Sequence, residues 1–176
     1  SYKPGSSERK SLQAKYDEMA GQTIEIPLII SGQEIKTGDT GTCVMPHDHG
    51  HILASYHKGG ENEVKMAVNS SMDSWKSWSR TSLDERTTIF RKAAELLQGP
   101  WRDTINAATM LNQSKNAFQA EIDSACELID FFNFNAQYAE EIYENQPLIS
   151  PDGMHNHLEY RPLEGFVFAV TPFNFT

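Results

Sequence analysis

The last twelve residues, GFVFAVTPFNFT at 165–176, decide the fold that the sequence predicts. Residues 166–170 form an apolar run without alternation, which is typical of a strand covered on both faces in a parallel sheet. Pro172 lacks the N–H that a sheet ladder needs, so it is expected to end this strand. Ligands bind beyond the carboxyl ends of strands in open α/β sheets, so we expect Asn174 at a ligand-binding edge.

The residues before this strand predict a hairpin and a long helix. Residues 145–162 are interpreted as two strands joined by a turn at Pro151, Asp152 and Gly153, where proline presets φ and glycine takes a positive φ. Residues 114–143 predict the longest helix, whose core face comprises Phe118, Ile122, Ala125, Ile129, Phe132, Ala136, Ala139 and Tyr143. A second apolar face comprises Ala120, Phe131, Phe134 and Tyr138. A helix that is apolar on two sides is expected to lie sandwiched between other elements.

Glu127 lies in the second face, one turn before Phe131. A carboxylate among aromatic residues is costly unless a positive group pairs with it. The pattern alone leaves two interpretations open: an ion pair with an Arg or Lys elsewhere, or a binding site for a substrate cation.

The first hundred residues predict a short helix, an edge hairpin and a layer of helices. Residues 1–20 form a polar arm, and strands at 24–30 and 35–44 flank a turn at 31–34. The second of these strands is expected to be broken at Gly38 and Gly41. A helix with Trp75 and Trp78 as core anchors follows two glycines. Ser82 and Glu85 form a capping box for the next helix, and Pro100 is expected to start the one after it.

Composition excludes several classes of protein. The net charge of −9 argues against a nucleic-acid partner, and no apolar run reaches the ~20 residues of a membrane span. No signal or transit peptide is recognisable. His47, His49 and His51 would diverge along one strand, and the two cysteines form no metal motif, so no metal site is predicted. Cys43 and Cys126 are expected to be small buried hydrophobic residues.

The terminal motif VTPFNF at 170–175 resembles a motif of the aldehyde dehydrogenase superfamily. QAEID at 119–123, ELIDFF at 127–132 and LEGF at 163–166 resemble the branch that oxidises L-glutamate γ-semialdehyde. The similarity covers nearly all of the chain. It implies an α/β fold, with N-terminal helices and β-hairpins leading into the first strand of a Rossmann-type NAD-binding domain.

The resemblance also implies a division of the chain. Residues 1–60 would be the arm and edge hairpin, 61–144 the helical layer of the NAD-binding domain, 145–162 an oligomerisation hairpin, and 163–176 the first strand with the start of an active-site loop. The chain would then be the N-terminal third of an enzyme of the mitochondrial matrix that forms a homodimer or a higher homo-oligomer. Alone, this third is expected to be inactive.

The implied reaction oxidises L-glutamate γ-semialdehyde to L-glutamate in proline breakdown, with NAD as cofactor. A cysteine forms a thiohemiacetal and then an acyl-enzyme; both this cysteine and the general-base glutamate are expected beyond Thr176. By resemblance, Asn174 donates to the oxyanion, Phe175 lines the aldehyde site, and Glu127 faces the substrate. Thr171 and Phe173 would lie along the adenosine side of NAD.

Two alternatives remain open at this point. One is another aldehyde dehydrogenase, because the group that would hold the substrate carboxylate is not visible. The other is a non-enzymatic helical interaction module with exposed hairpins and an acidic surface. For Asn174, the residues alone also allow a loop asparagine that bonds its own backbone.

Overall fold

The computed structural model describes residues 2–175 and consists of two small sheets and a layer of helices. Ser1 and Thr176, the outermost residues of the predicted arm and loop, lie outside the described residues. The elements are α1 (Ser7–Ala20), β1 (Ile24–Ile26), β2 (Leu28–Ile30), β3 (Gln33–Ile35), β4 (Thr40–Met45), β5 (Asp48–His57), α2 (Glu61–Trp78), α3 (Leu83–Gln98), α4 (Arg102–Gln113), α5 (Ala117–Ala120), a π-helix (Glu121–Cys126) and α6 (Glu127–Glu144).

The predicted edge hairpin is divided between the two sheets. β2 and β3 pair antiparallel, whereas β5 lies between β1, which is parallel to it, and β4, which is antiparallel. The expected strand at 24–30 is interrupted at Pro27, which has no N–H for a ladder. The expected strand at 35–44 breaks at Gly38, whose φ is 83°, but not at Gly41. Gly41 lies inside β4, where the Tyr56 ring fills the space that the β-carbon of any other residue would need.

The helical layer begins with α2, α3 and α4, largely as predicted. Ser82 Oγ accepts from the Glu85 N–H at 3.2 Å, and the Ser82 N–H donates to Glu85 Oε2 at 3.1 Å. The predicted capping box is therefore confirmed. The prediction that Trp78 is a core anchor is wrong, because this residue is 46% exposed among the residues described. Pro100 lies in the turn before α4 rather than at its first position, and α4 begins at Arg102.

The predicted long helix is present as one helical run over 117–144, but six of its residues form a π-helix. The wider turns of the π-helix rotate the side chains that follow it by about 100° around the helix axis, relative to a uniform α-helix. Ala120 is consequently fully buried, whereas Phe131, Phe134 and Tyr138 are 57%, 53% and 54% exposed. The prediction that Ala120 shares a face with these three aromatic residues was therefore wrong. Phe118, expected in the core, is 72% exposed before the π-helix.

Two groups of contacts define the core. Phe132 of α6 packs against Phe90 of α3 with ring centroids 5.8 Å apart. Small residues let α1, α4 and the helical run approach closely; the buried residues there are Leu12, Ala107, Leu111, Ala120 and Ala125. Within residues 2–175, no helix combines the length and the apolar character needed to cross a membrane.

Residues 145–175 contain neither helix nor strand in the structure, which corrects two expectations. The predicted turn is present, with Met154 N donating to Pro151 O at 3.0 Å and Gly153 at φ 74°. The flanking arms are joined by side chains, as when Leu158 N donates to Gln146 Oε1 at 2.8 Å, instead of by a backbone ladder. Strands require hydrogen-bonded neighbours, and the described part of the chain offers none to residues 166–170.

Candidate functional site

The segment at 171–175 is an exposed loop whose last two residues are fastened to the helical layer. Lys115 Nζ donates to the backbone oxygen of Asn174, and Gln113 Nε2 donates to that of Phe175 at 3.1 Å. The Lys115 ammonium also lies 5.2 Å from the centroid of the Phe175 ring, within the range of a cation–π contact. The loop that carries the predicted oxyanion donor is thus held at its backbone, while the Asn174 side chain is exposed.

Lys115 is presented by a tight turn between α4 and α5. Ser114 adopts the left-handed conformation with φ 54°, and its hydroxyl lies 2.7 Å from His47 Nδ1. Asn116 then caps α5, accepting from the Gln119 N–H at 2.9 Å while the Gln119 side chain bonds back to the Asn116 N–H. With both neighbours fixed in this way, the backbone of Lys115 has a defined position.

The ammonium of Lys115 is neutralised by Asp123 from the π-helix. The two side chains are only 15% and 22% exposed, so water screens this ion pair less than it screens a surface pair. Asp123 lies one turn before Glu127. The pair therefore links the terminal loop to the part of the helical run that carries the predicted substrate carboxylate.

Glu127 begins α6 at one end of an exposed aromatic stripe. Phe131, Phe134 and Tyr138 follow it at helical spacing, and the Phe134 and Tyr138 rings stack with centroids 6.3 Å apart. Glu127 is partly buried, and no hydrogen bond or ion pair is found for it within residues 2–175. The described part of the chain therefore contains no ion pair that would explain this carboxylate.

No hydrogen bond joins Asn174 to Glu127 in the part of the chain described. Thr171 and Phe173 are exposed, and Phe173 reaches 94%. The structure therefore associates Asn174 and Phe175 with the helical layer and leaves Thr171 and Phe173 free to meet another group.

A second polar cluster lies beside the π-helix and involves Glu121. Its carboxylate accepts from Tyr2 at 2.7 Å, from Asn106 at 2.7 Å and from Arg102. Burial is the largest single influence and favours the neutral acid, but the bonds from Arg102, Tyr2 and Asn106 outweigh it and lower the pKa of Glu121. Burial and the Glu121 carboxylate raise the pKa of Tyr2 to about 12.

Neither cysteine has the surroundings of a nucleophile. Burial, followed by the charge of Glu121, raises the pKa of Cys126, and a reactive cysteine needs the opposite shift. Cys43 Sγ donates to Asn112 Oδ1 at 2.8 Å. The structure brings together no group of three His, Cys, Asp or Glu side chains that could hold a metal among the residues described.

Sequence reasoning missed Lys115, Gln113 and Asp123. Lys115 and Asn174 are separated by 59 residues, and neither lies in a periodic pattern that could pair them. The one local signal was Asn116 with Gln119, a capping pair that marks the start of a helix and places Lys115 in the preceding turn.

Comparison with known proteins identifies a family over most of this chain. The model of the aldehyde dehydrogenase family matches residues 34–176. A Δ1-pyrroline-5-carboxylate dehydrogenase of Agaricus bisporus is 48% identical over 177 residues, covering 100% of this chain and 32% of that protein. The mitochondrial protein of that name from Dictyostelium discoideum is 43% identical, covering 99% of this chain and 31% of its own length.

A solved structure agrees closely with the fold described above. The Δ-pyrroline-5-carboxylate dehydrogenase of Mycobacterium tuberculosis superposes with a TM-score of 0.96 at 44% identity, over 99% of this chain and 32% of that one. The same enzyme has been solved bound with NAD. The chain spans about a third of the length of the relatives it matches.

Proposed function

The chain belongs to the aldehyde dehydrogenase family, and we propose that it is the N-terminal part of an NAD-dependent dehydrogenase that oxidises L-glutamate γ-semialdehyde to L-glutamate. The observation that carries this proposal is the 48% identity, over the whole chain, to a relative named for the cyclic form of that substrate. The fastened loop at Asn174 and the carboxylate of Glu127, which has no partner among the residues described, supply the matching chemistry.

Asn174 is the residue to which we assign transition-state stabilisation. Attack of a thiolate on an aldehyde places negative charge on the carbonyl oxygen, and an amide N–H aimed at that oxygen binds the transition state more strongly than the ground state. The neutral amide of Asn174 has the required donors and no charge of its own. The ring of Phe175, next along the loop, forms part of an apolar wall around the aldehyde.

Glu127 accounts for recognition of an amino-acid aldehyde. A substrate that carries an α-ammonium group needs a negative partner, and a partly buried carboxylate that has no partner within residues 2–175 provides one. The aromatic residues that follow Glu127 are uncharged, so they do not compete with the ammonium for it.

The exposed residues at 171–173 fit the proposed cofactor. The hydroxyl of Thr171 can bond a ribose, and the 94% exposed ring of Phe173 can cover an apolar face of a dinucleotide. NAD, when bound, supplies the acceptor for the hydride that leaves the aldehyde carbon. Thr171 and Phe173 would hold the adenosine side, and Pro172 between them keeps the loop backbone stiff.

The finer assignments belong to the same proposal. Residues 163–176 would be the first strand of a Rossmann-type sheet with the start of an active-site loop. Residues 145–162 would be a hairpin that joins subunits into a homodimer or a higher homo-oligomer. Several relatives are named as mitochondrial proteins, which supports a location in the mitochondrial matrix.

The experiment that tests the function compares substrates on the full-length natural protein. We expect NAD reduction with glutamate γ-semialdehyde at a kcat/KM at least about 10-fold above that with a simple aliphatic aldehyde of similar length, because a charged partner is worth about 1.5–3 kcal/mol. Preference for the aliphatic aldehyde would identify a different aldehyde dehydrogenase, and no turnover of either would favour a non-enzymatic role.

A further inference from the structure

We propose that Lys115 is a positioning residue that fixes the orientation of Asn174, an inference that rests on the proposed function of Asn174. Oxyanion stabilisation requires a donor that is already in place when charge develops. A loop that contains neither helix nor strand does not by itself hold a donor in a fixed position. Two side chains of the helical layer, Gln113 and Lys115, hold this loop by its carbonyl groups.

The two contacts fix neighbouring peptide planes. Lys115 Nζ holds the carbonyl of Asn174, and Gln113 Nε2 holds the carbonyl of Phe175 at 3.1 Å. With the plane that follows Asn174 held, the Asn174 side chain loses freedom to swing away from the substrate. The cation–π contact with the Phe175 ring adds a third restraint on the same loop.

Asp123 determines what the ammonium can do. A lysine has three N–H donors, and here one points to the Asp123 carboxylate and another to the Asn174 carbonyl. Because the ion pair is close to neutral overall, Lys115 does not itself replace Asn174 as the partner of a nearby oxyanion. The pair instead transmits the fixed position of the π-helix to the loop.

The test is a double-mutant cycle in the full-length natural protein. Lys115→Met removes the donors and keeps the length of the side chain, and Asn174→Ala removes the proposed oxyanion donor. Because a misplacement of about 1 Å can cost 10²-fold, we expect Lys115→Met to lower kcat by roughly 10–100-fold, with KM for the aldehyde changed less than about 3-fold. Lys115→Arg, which keeps the donors, should recover most of the lost kcat.

The decisive measurement is made in the Asn174→Ala background. If Lys115 acts through Asn174, Lys115→Met should lower kcat there by less than about 3-fold. An equal loss in both backgrounds, or no loss in either, overturns the inference. Should Lys115→Met fail to fold, Lys115→Gln, which keeps one donor group, takes its place in the same cycle.

A control variant, Lys65→Met, and the single variant Asn174→Ala separate this inference from the proposed function on which it rests. Lys65→Met changes an exposed lysine that pairs with Glu61 on α2, and it should leave kcat unaltered. If Asn174→Ala alone leaves kcat unaltered, the proposed role of Asn174 fails whatever Lys115 does. If Asn174→Ala lowers kcat and the effects multiply, only the positioning role of Lys115 fails.

Discussion

Tyr2 Oη donates a hydrogen bond of 2.7 Å to Glu121 Oε2, across 119 residues of sequence. Asn106 binds both groups: its Nδ2 donates to Tyr2 at 3.1 Å and to Glu121 at 2.7 Å. The N-terminal arm is therefore attached to the first turn of the π-helix by a polar cluster. Because Glu121 precedes Asp123 and Glu127 in the same helical run, this attachment also supports the candidate site.

Glu121→Gln should loosen the arm in a pH-dependent manner. The pKa of Glu121 is lowered by folding, so its charge stabilises the fold above about pH 4.5 and that contribution disappears as pH falls through the lowered pKa. We expect a loss of roughly 1–3 kcal/mol near neutral pH, since Arg102 and Tyr2 lose their charged acceptor. Amide hydrogen exchange in α1 measures this loss, and the difference between the variant and wild type should shrink as pH falls below about 4.5.

Glu18→Gln is the matched control for that experiment. Glu18 lies on α1 and pairs with Lys15 at 2.6 Å, but its side chain is 53% exposed. Such surface pairs contribute little, so exchange in α1 should stay near that of wild type. If Glu121→Gln gave the same small effect at every pH, the polar cluster would have no role in holding the arm.

The helices could be predicted because their signals are local. Ser82 and Glu85 marked the start of α3 within four residues of sequence. The phase of the long helix could not be predicted, since a period read from apolar positions assumes uniform turns. The π-helix changed that phase, so Ala120 is buried while Phe131 is exposed. Beyond the irregular turns, Phe131, Phe134 and Tyr138 follow one another at helical spacing as predicted, but nothing within residues 2–175 covers them as the expected sandwich would.

The candidate site shows the same division between local and distant signals. The motif around Asn174 identified the loop. The spacing of apolar residues along the long helix identified Glu127 as a carboxylate among aromatic residues. The contact between Lys115 and Asn174 joins residues far apart in sequence, and no periodic pattern contains it. The strand expected at 166–170 was predicted from its apolar composition, but its formation depends on neighbouring strands that the described residues do not supply.

The isolated 176-residue chain should not reduce NAD and should self-associate. Neither Cys43 nor Cys126 has a nucleophile's surroundings, and the stripe of Phe131, Phe134 and Tyr138 is exposed over more than half of each side chain. Exposed apolar patches of this kind promote association. Sedimentation velocity should show oligomers, and Phe131→Ser with Phe134→Ser should reduce them. Turnover above background by the isolated chain would contradict the proposal that it is an incomplete enzyme.

Glu127→Gln in the full-length natural protein should weaken binding of the amino-acid aldehyde. The change keeps the shape of the side chain and removes its charge, so KM for glutamate γ-semialdehyde should rise about 10-fold or more while kcat changes less. A simple aliphatic aldehyde has no ammonium group and should be affected little. Equal losses with both substrates, measured by steady-state NAD reduction, would show that Glu127 has a structural role instead.

Asn174→Ala should slow the chemical step itself. Lys115 holds the Asn174 backbone, and the Asn174 side chain is exposed, so the substitution removes a donor without removing a core contact. The carbonyl oxygen becomes charged only as the nucleophile adds, so the lost bond is one that exists mainly in the transition state.

Loss of an oxyanion donor typically lowers kcat by about 10²–10³-fold, and kcat/KM should fall in parallel for Asn174→Ala. The affinity for NAD and the melting temperature should stay near those of wild type, because neither depends on the amide group. Asn156→Ala is a suitable control. Asn156 Nδ2 donates to Ile149 O at 2.9 Å within residues 145–162, so losing this hydrogen bond should leave kcat intact. A variant of Asn174 that melts early but retains its kcat would show that this asparagine only stabilises the loop.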